Sequence, residues 1–185
     1  GNMELLQAVN TILPYLGEHV ITRIETTRHP TVDLIVAAVQ RSRQELLAVG
    51  WWFNEHEITL PVNTDGKIDT PTGALAIYGL DFNVATEGTR LFNLTENTNL
   101  FTAPVRLRIV RDTAFEDLPL LAANTVLYSA LLEVYVSDFG VDPTIQAIQA
   151  KYDGNRRMMS QENLRNRKYN SLTTVRSRSS RYLRR

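Results

Sequence analysis

The chain contains no cysteine. Disulfides, thiolate nucleophiles and cysteine-ligated metals are therefore excluded, and the composition is compatible with a reducing compartment. Histidine is scarce: His19, His29 and His56 lie far apart, and none has a partner at metal-ligand spacing. There is no G-x-G-x-x-G, no G-x-x-x-x-G-K-S/T, no H-E-x-x-H and no G-x-S-x-G. The common signatures of dinucleotide and phosphate binding, zinc proteolysis and serine-hydrolase chemistry are thus missing. No uninterrupted apolar run is long enough for a bilayer. The nearest, Pro119 to Phe139, is broken by Asn124, Thr125, Glu133 and Asp138, and reads as a buried central helix rather than a membrane span. No basic-then-apolar leader opens the sequence, so no signal peptide is expected.

What is present is an ordinary globular composition, 43% hydrophobic and 22% charged, enough for one domain or two small ones. The formal net charge of zero hides an asymmetry. Residues 1–163 hold 12 Lys/Arg against 20 Asp/Glu, whereas residues 164–185 hold 8 Lys/Arg and no acid. An acidic body with a basic end is the pattern of an interaction arm. Arginine outnumbers lysine 7 to 1 in that end, and its planar fork suits both phosphate and carboxylate. Two readings stand: an electrostatic clamp on nucleic acid, or an arm docking into an acidic protein groove. From Ser171 to Arg185 only Leu172, Val175, Tyr182 and Leu183 offer apolar anchors. Such a segment does not offset its own ordering entropy, so an extended arm is expected.

The chain turns on the stretch Leu46 to Glu55. A helical pattern stops at Gly50, a left-handed cap position. Both tryptophans, Trp51 and Trp52, follow at once, with Phe53. Aromatics of this size are packing anchors, and nothing basic is interleaved as in a base-stacking platform. Gly50, Trp51, Trp52 and Phe53 are read as a structural junction between a helical layer and a β-rich one.

Upstream, Leu5, Leu6, Val9, Ile12, Leu13 and Leu16 mark one helical face, with Pro14 distorting the last turn and Gly17 ending it. Glu18 to His29 is a connector, and Val20 and Ile24 suggest that it lies across the core. Pro30 opens a second helix with a buried face at Ile35, Ala38, Val39, Ser42, Leu46 and Val49, and with Arg41, Arg43, Gln44 and Glu45 mostly opposite. From Trp51 to Arg111 short strands are expected, around Ile58–Leu60, Leu75–Leu80, Arg90–Leu94 and Val105–Val110. Asp65-Gly66 marks a tight turn. Pro119 opens the third helix and Asp142-Pro143 the fourth, which is expected to fray by Asn170. The fold class is therefore α+β: a four-helix bundle with a small antiparallel β insertion between the second and third helices, and a C-terminal extended arm. Residues 1–50 and 112–170 form the helical part, 51–111 the insertion and 171–185 the arm.

Candidate chemistry is thin. Asn63, Asp65 and Asp69 surround Gly66, but the spacing is wrong for an EF-hand and the bidentate glutamate is absent, so a hairpin turn is expected. Glu116 and Asp117 are adjacent, and a glycosidase needs two carboxylates across a cleft; they read as favourable charge before the third helix. Asn93-Leu94-Thr95 is a glycosylation sequon, without consequence if the protein is made in bacteria. No catalytic residue, no metal ligand and no cofactor is expected.

Several strings then add up. Ala8-Val9-Asn10 with Ile12-Leu13 and Leu16-Gly17-Glu18 form the first helix and its exit. Gly50-Trp51 with Phe53-Asn54 and Glu57 closes the second. Arg106-Leu107-Arg108 leads through Asp117-Leu118-Pro119 into the third, and Tyr169-Asn170 with Leu172 closes the fourth. In this order and spacing, from residue 5 to about 172, the chain resembles the tail tubular protein A family of short-tailed bacteriophages. The resemblance implies a structural virion protein without enzymatic activity. It implies a dodecameric adaptor, or gatekeeper, ring in the neck of the virion, assembled in the host cytoplasm, with the portal protein on one side and the tail nozzle on the other. Tail fibres dock near the junction of the helical and β parts, and genomic DNA passes through the lumen without specific binding; no membrane is involved. An acidic channel wall repels the duplex and lets it slide. The resemblance favours the protein groove for the basic arm, with Arg176, Arg178, Arg181, Tyr182, Leu183, Arg184 and Arg185 as partner-binding residues. The alternative is a non-specific nucleic-acid-binding protein acting through that arm; a tail-associated hydrolase is the third hypothesis.

Overall fold

Apolar residues at helical spacing build the first element. The computed structural model describes residues 2–24 and 29–183, with side chains through Arg167. Helix α1 spans Leu5–Ile12 and tightens into a 3-10 turn at Leu13–Leu16, where Pro14 removes an amide donor. Gly17 closes it at φ 76°. The order continues with α2 (Pro30–Ala48), β1 (Glu55–Leu60), β2 (Ala74–Gly79), β3 (Val84–Glu87), β4 (Arg90–Asn93) and β5 (Val105–Arg111). A 3-10 turn at Phe115–Asp117 precedes α3 (Leu120–Phe139) and α4 (Pro143–Leu183).

The chain divides into two compact units. The first comprises Gly1–Arg43 and Ala114–Arg185, the second Gln44–Thr113, so α2 runs through the boundary. In the first unit α3 packs against α4 and α1. Its composition would let it cross a bilayer, but Ala122, Ala123, Val126, Leu127, Ala130 and Leu131 are buried in the protein. At the α3–α4 corner the Tyr135 hydroxyl donates to Asp142 at 2.6 Å, and Asp142 also accepts from the Thr144 amide at 2.8 Å. The hydrogen bond from Tyr135 leads in holding the Asp142 carboxyl below its ordinary 3.8. The same bond raises the Tyr135 hydroxyl above 10.0.

In the second unit β1, β5 and β2 form an antiparallel sheet in that order, and β3–β4 form a separate hairpin. Val105, Leu107 and Ile109 of β5 turn into a core with Ile68, Leu91 and Phe101. Gly79 is required at the end of β2, because a Cβ there would stand 1.9 Å from the Phe82 carbonyl oxygen.

Four expectations are corrected. Val49, expected on the buried face of the second helix, lies just past the end of α2 and is 57% exposed. The arm from residue 171 is not extended: α4 continues as helix to Leu183, about 60 Å at 1.5 Å per residue. No glycine or proline follows Gly154, and arginine is a good helix former. Val20 does not cross the core but is 61% exposed. The Asn10 side chain pins the neighbouring Ile21 backbone through two 2.9 Å bonds, and Val20 turns outward. Arg43 is not on a wet face but only 7% exposed. Its stem lies in the interior while Nε donates to Gln40 Oε1 at 2.8 Å. Arg184 and Arg185 lie outside the described residues.

Candidate functional site

The Leu46–Glu55 stretch is a turn that combines buried apolar side chains with a network of hydrogen bonds. Gly50 takes φ 83°, and a Cβ there would meet Glu55 Oε2 at 2.4 Å and Val110 Cγ2 at 3.3 Å, so only glycine fits. Trp51 is 3% exposed, and its indole Nε1 donates to the Leu46 carbonyl at 2.7 Å. Trp52 and Phe53 are half-buried and meet edge to face, with centroids 5.1 Å apart.

Asn54 is the residue at the centre of this turn, and sequence reasoning gave it no role of its own. It is fully buried. Its Oδ1 accepts from the Trp51 amide at 2.7 Å. Its Nδ2 donates to Leu47 O and to Arg111 O, both at 3.0 Å. Its own amide donates to Trp51 O at 3.1 Å, and its carbonyl accepts from the Arg111 amide at 2.7 Å. One side chain thus ties the last turn of α2 to the end of β5. The available signal was a polar residue directly following three aromatics, a place where an amide must be satisfied internally.

Trp51→Phe isolates one of these bonds. It keeps most of the packing and removes the indole donor, and should lower stability by about 1–2 kcal/mol. Urea denaturation of the variant checks this; an unchanged midpoint would remove the Leu46 bond from the account.

The remaining polar clusters are tied up internally. Arg90 bridges Asp65 at 3.0 Å and Asp69 at 2.9 Å, and Asn63 Nδ2 donates to Asp69 at 3.0 Å. The Arg90 hydrogen bond leads in holding the Asp65 carboxyl low. A guanidinium therefore sits where a cation would have to bind. Arg106 grips Asp81 with two bonds, 3.1 and 2.6 Å, and this pairing lowers the Asp81 carboxyl. Glu116 and Asp117 are exposed in the turn before α3 and line no carboxylate cleft together. Among the described residues no group of three or more His, Asp or Glu is placed to hold a metal ion.

Arg176, Arg178, Arg181, Tyr182 and Leu183 fall on the last turns of α4, in the helical unit, whereas Gly50–Phe53 belong to the sheet unit.

The sequence profile of the tail tubular protein family matches residues 6–169. The chain is also similar to tail tubular protein A of Klebsiella phage KP34, with 35% identity over 174 residues, covering 93% of each chain.

Proposed function

Because the chain belongs to the tail tubular protein family, we propose that it works in a phage virion as a head-to-tail adaptor. In this reading identical copies close into a ring, twelve in number as the family resemblance implies. The ring joins the portal protein to the tail nozzle and leaves a lumen for genomic DNA. It sits in the neck of the virion, assembles in the host cytoplasm, carries no catalytic group or cofactor, and offers a docking place for tail fibres.

The observation that carries the reading is coverage. The similarity to a tail tubular protein extends over 93% of both chains, so it includes the helical and the sheet unit alike. A tube requires repeated copies in a heterologous, closing arrangement, and a chain of 21.0 kDa is a subunit of such a tube rather than a tube itself. The absence of the usual hydrolase motifs from the sequence fits a structural role.

The test separates the two units. Full-length protein mixed with portal should sediment as a large ring complex. A variant with residues 51–111 replaced by a short linker should still join the portal and fail to join the nozzle. Particle counts by electron microscopy read both outcomes. Loss of portal binding while circular dichroism shows the helices folded would overturn this division of labour. A wild-type chain that stays monomeric beside portal would overturn the ring.

A further inference from the structure

The chain passes between the two units twice, inside α2 at Arg43/Gln44 and again at Thr113/Ala114. Both passages lie next to a bond made by one side chain. Asn54 Nδ2 donates to Leu47 O, in the last turn of α2 just past the first passage, and to Arg111 O, at the end of β5 just before the second. No glycine or proline interrupts α2 after Pro30, and a helix without such breaks curves only gently. Its weak place is its end, where the last carbonyls have no partner inside the helix. Ala48 and Val49 are exposed there, and Gly50 turns left-handed at φ 83°.

Asn54, fully buried, fastens that end to the sheet. Its partner strand β5 is central, between β1 and β2, so a bond to the end of β5 is a bond to the whole sheet. Trp51 also bonds the last turn of α2, at Leu46 O, but the Trp51 amide is itself held by Asn54 Oδ1. We propose that Asn54 couples the two units: by holding the end of α2 and the end of β5 on one amide, it makes the two passages a single joint that hands a displacement of the helical unit on to the sheet. Asn54 is thus a positioning residue. The coupling stands on the connectivity of the chain and needs neither a ring nor a portal.

The test uses the full-length chain, whose lack of cysteine lets spin labels go only where they are placed. Gln161→Cys in the helical unit and Glu87→Cys in the sheet unit are both exposed. Pulsed electron spin resonance reads the distance between them. The wild-type background should give one narrow distance and Asn54→Ala a broad one. A bend of about 20° at the freed turn, the size of a sharp kink, moves a label one strand length away, about 20 Å, by roughly 7 Å. Label pairs inside each unit, Asp33→Cys with Gln161→Cys and Thr64→Cys with Glu87→Cys, should keep their distances, which a general loosening of the fold would not allow. Hydrogen exchange on the unsubstituted chain keeps the proposal falsifiable if Asn54→Ala fails to fold. The Gly50 amide bonds Leu47 O and the Arg111 amide bonds Asn54 O. Coupled, the two should exchange through one opening, with the same protection and the same response to denaturant. A folded Asn54→Ala chain with the narrow distance retained would overturn the coupling. So would a broad distance in the wild-type background, or a Gly50 amide that exchanges ahead of Arg111.

Discussion

Asn54→Ala is expected to destabilise the sheet unit by about 2–4 kcal/mol, the cost of removing the three hydrogen bonds of a fully buried amide. The side chain accepts from the Trp51 amide and donates to the Arg111 and Leu47 carbonyls. The Leu47 carbonyl loses less, because the Gly50 amide also donates to it at 3.1 Å. Asn54→Asp should be worse at neutral pH than alanine. A carboxylate accepts from Trp51 but faces two carbonyl oxygens where the amide donated. Burial and those oxygens would raise its pKa, so the aspartate variant should recover stability as the pH falls, whereas the alanine variant should not. Urea denaturation followed by tryptophan emission reads the effect directly, since buried Trp51 sits on the same turn. An alanine variant with wild-type stability would show that the turn is held by packing alone.

The importance of Asn54 also shows where sequence reading stops. Helix starts were legible because Pro30 and Asp142-Pro143 are local signals, and α2, α3 and the Leu13–Leu16 turn end beside Gly50, Gly140 and Gly17. The central strand β5 was legible because Val105, Leu107 and Ile109 alternate with Arg106 and Arg108, and the observed ladder uses that alternation. β3 was not named, because Val84-Ala85-Thr86-Glu87 is half-buried to exposed and pairs only with β4, so its burial imposes little pattern. Asn54 was invisible for a different reason. Its partner carbonyl is 57 residues away, and no local period encodes a bond of that range. Arg43 failed in the same way, since a helical wheel assigns a face by residue type and says nothing of an aliphatic stem laid inward.

The C-terminal segment was misread through an energetic argument applied too widely. Few apolar anchors do mean little burial, but helix formation continues from α4 without a new nucleus, so only propagation is needed. The helix therefore carries the basic residues to Leu183 instead of releasing them at Asn170. This alters what an acidic partner would meet: arginines spaced along a helix, with positions fixed by a 3.6-residue repeat, instead of a chain that must be ordered on contact. The entropic cost of docking falls accordingly.

Truncation after Asn170 should leave the body folded and abolish stable attachment to the portal. The body should survive because the buried apolar residues of α4, Ile148 and Met159, precede the cut. The Tyr135–Asp142 corner is also N-terminal to it, and the family match itself ends at residue 169. Attachment should fail because the cut removes Arg176, Arg178, Arg181, Arg184 and Arg185 together with Tyr182 and Leu183. Each exposed ion pair contributes little, about 0–1 kcal/mol. In the proposed ring, five arginines on each copy would act together, and avidity would multiply their effect by orders of magnitude. Charge reversal of the five arginines to glutamate, with the helix retained, should reproduce the loss; a variant that changes Tyr182 and Leu183 alone should weaken attachment less. Co-sedimentation with portal at low and high salt reads all three. If the truncated chain still joins the portal, and instead loses affinity for duplex DNA with a steep salt dependence, the helix end is a nucleic-acid clamp, because counterion release from phosphates gives that slope.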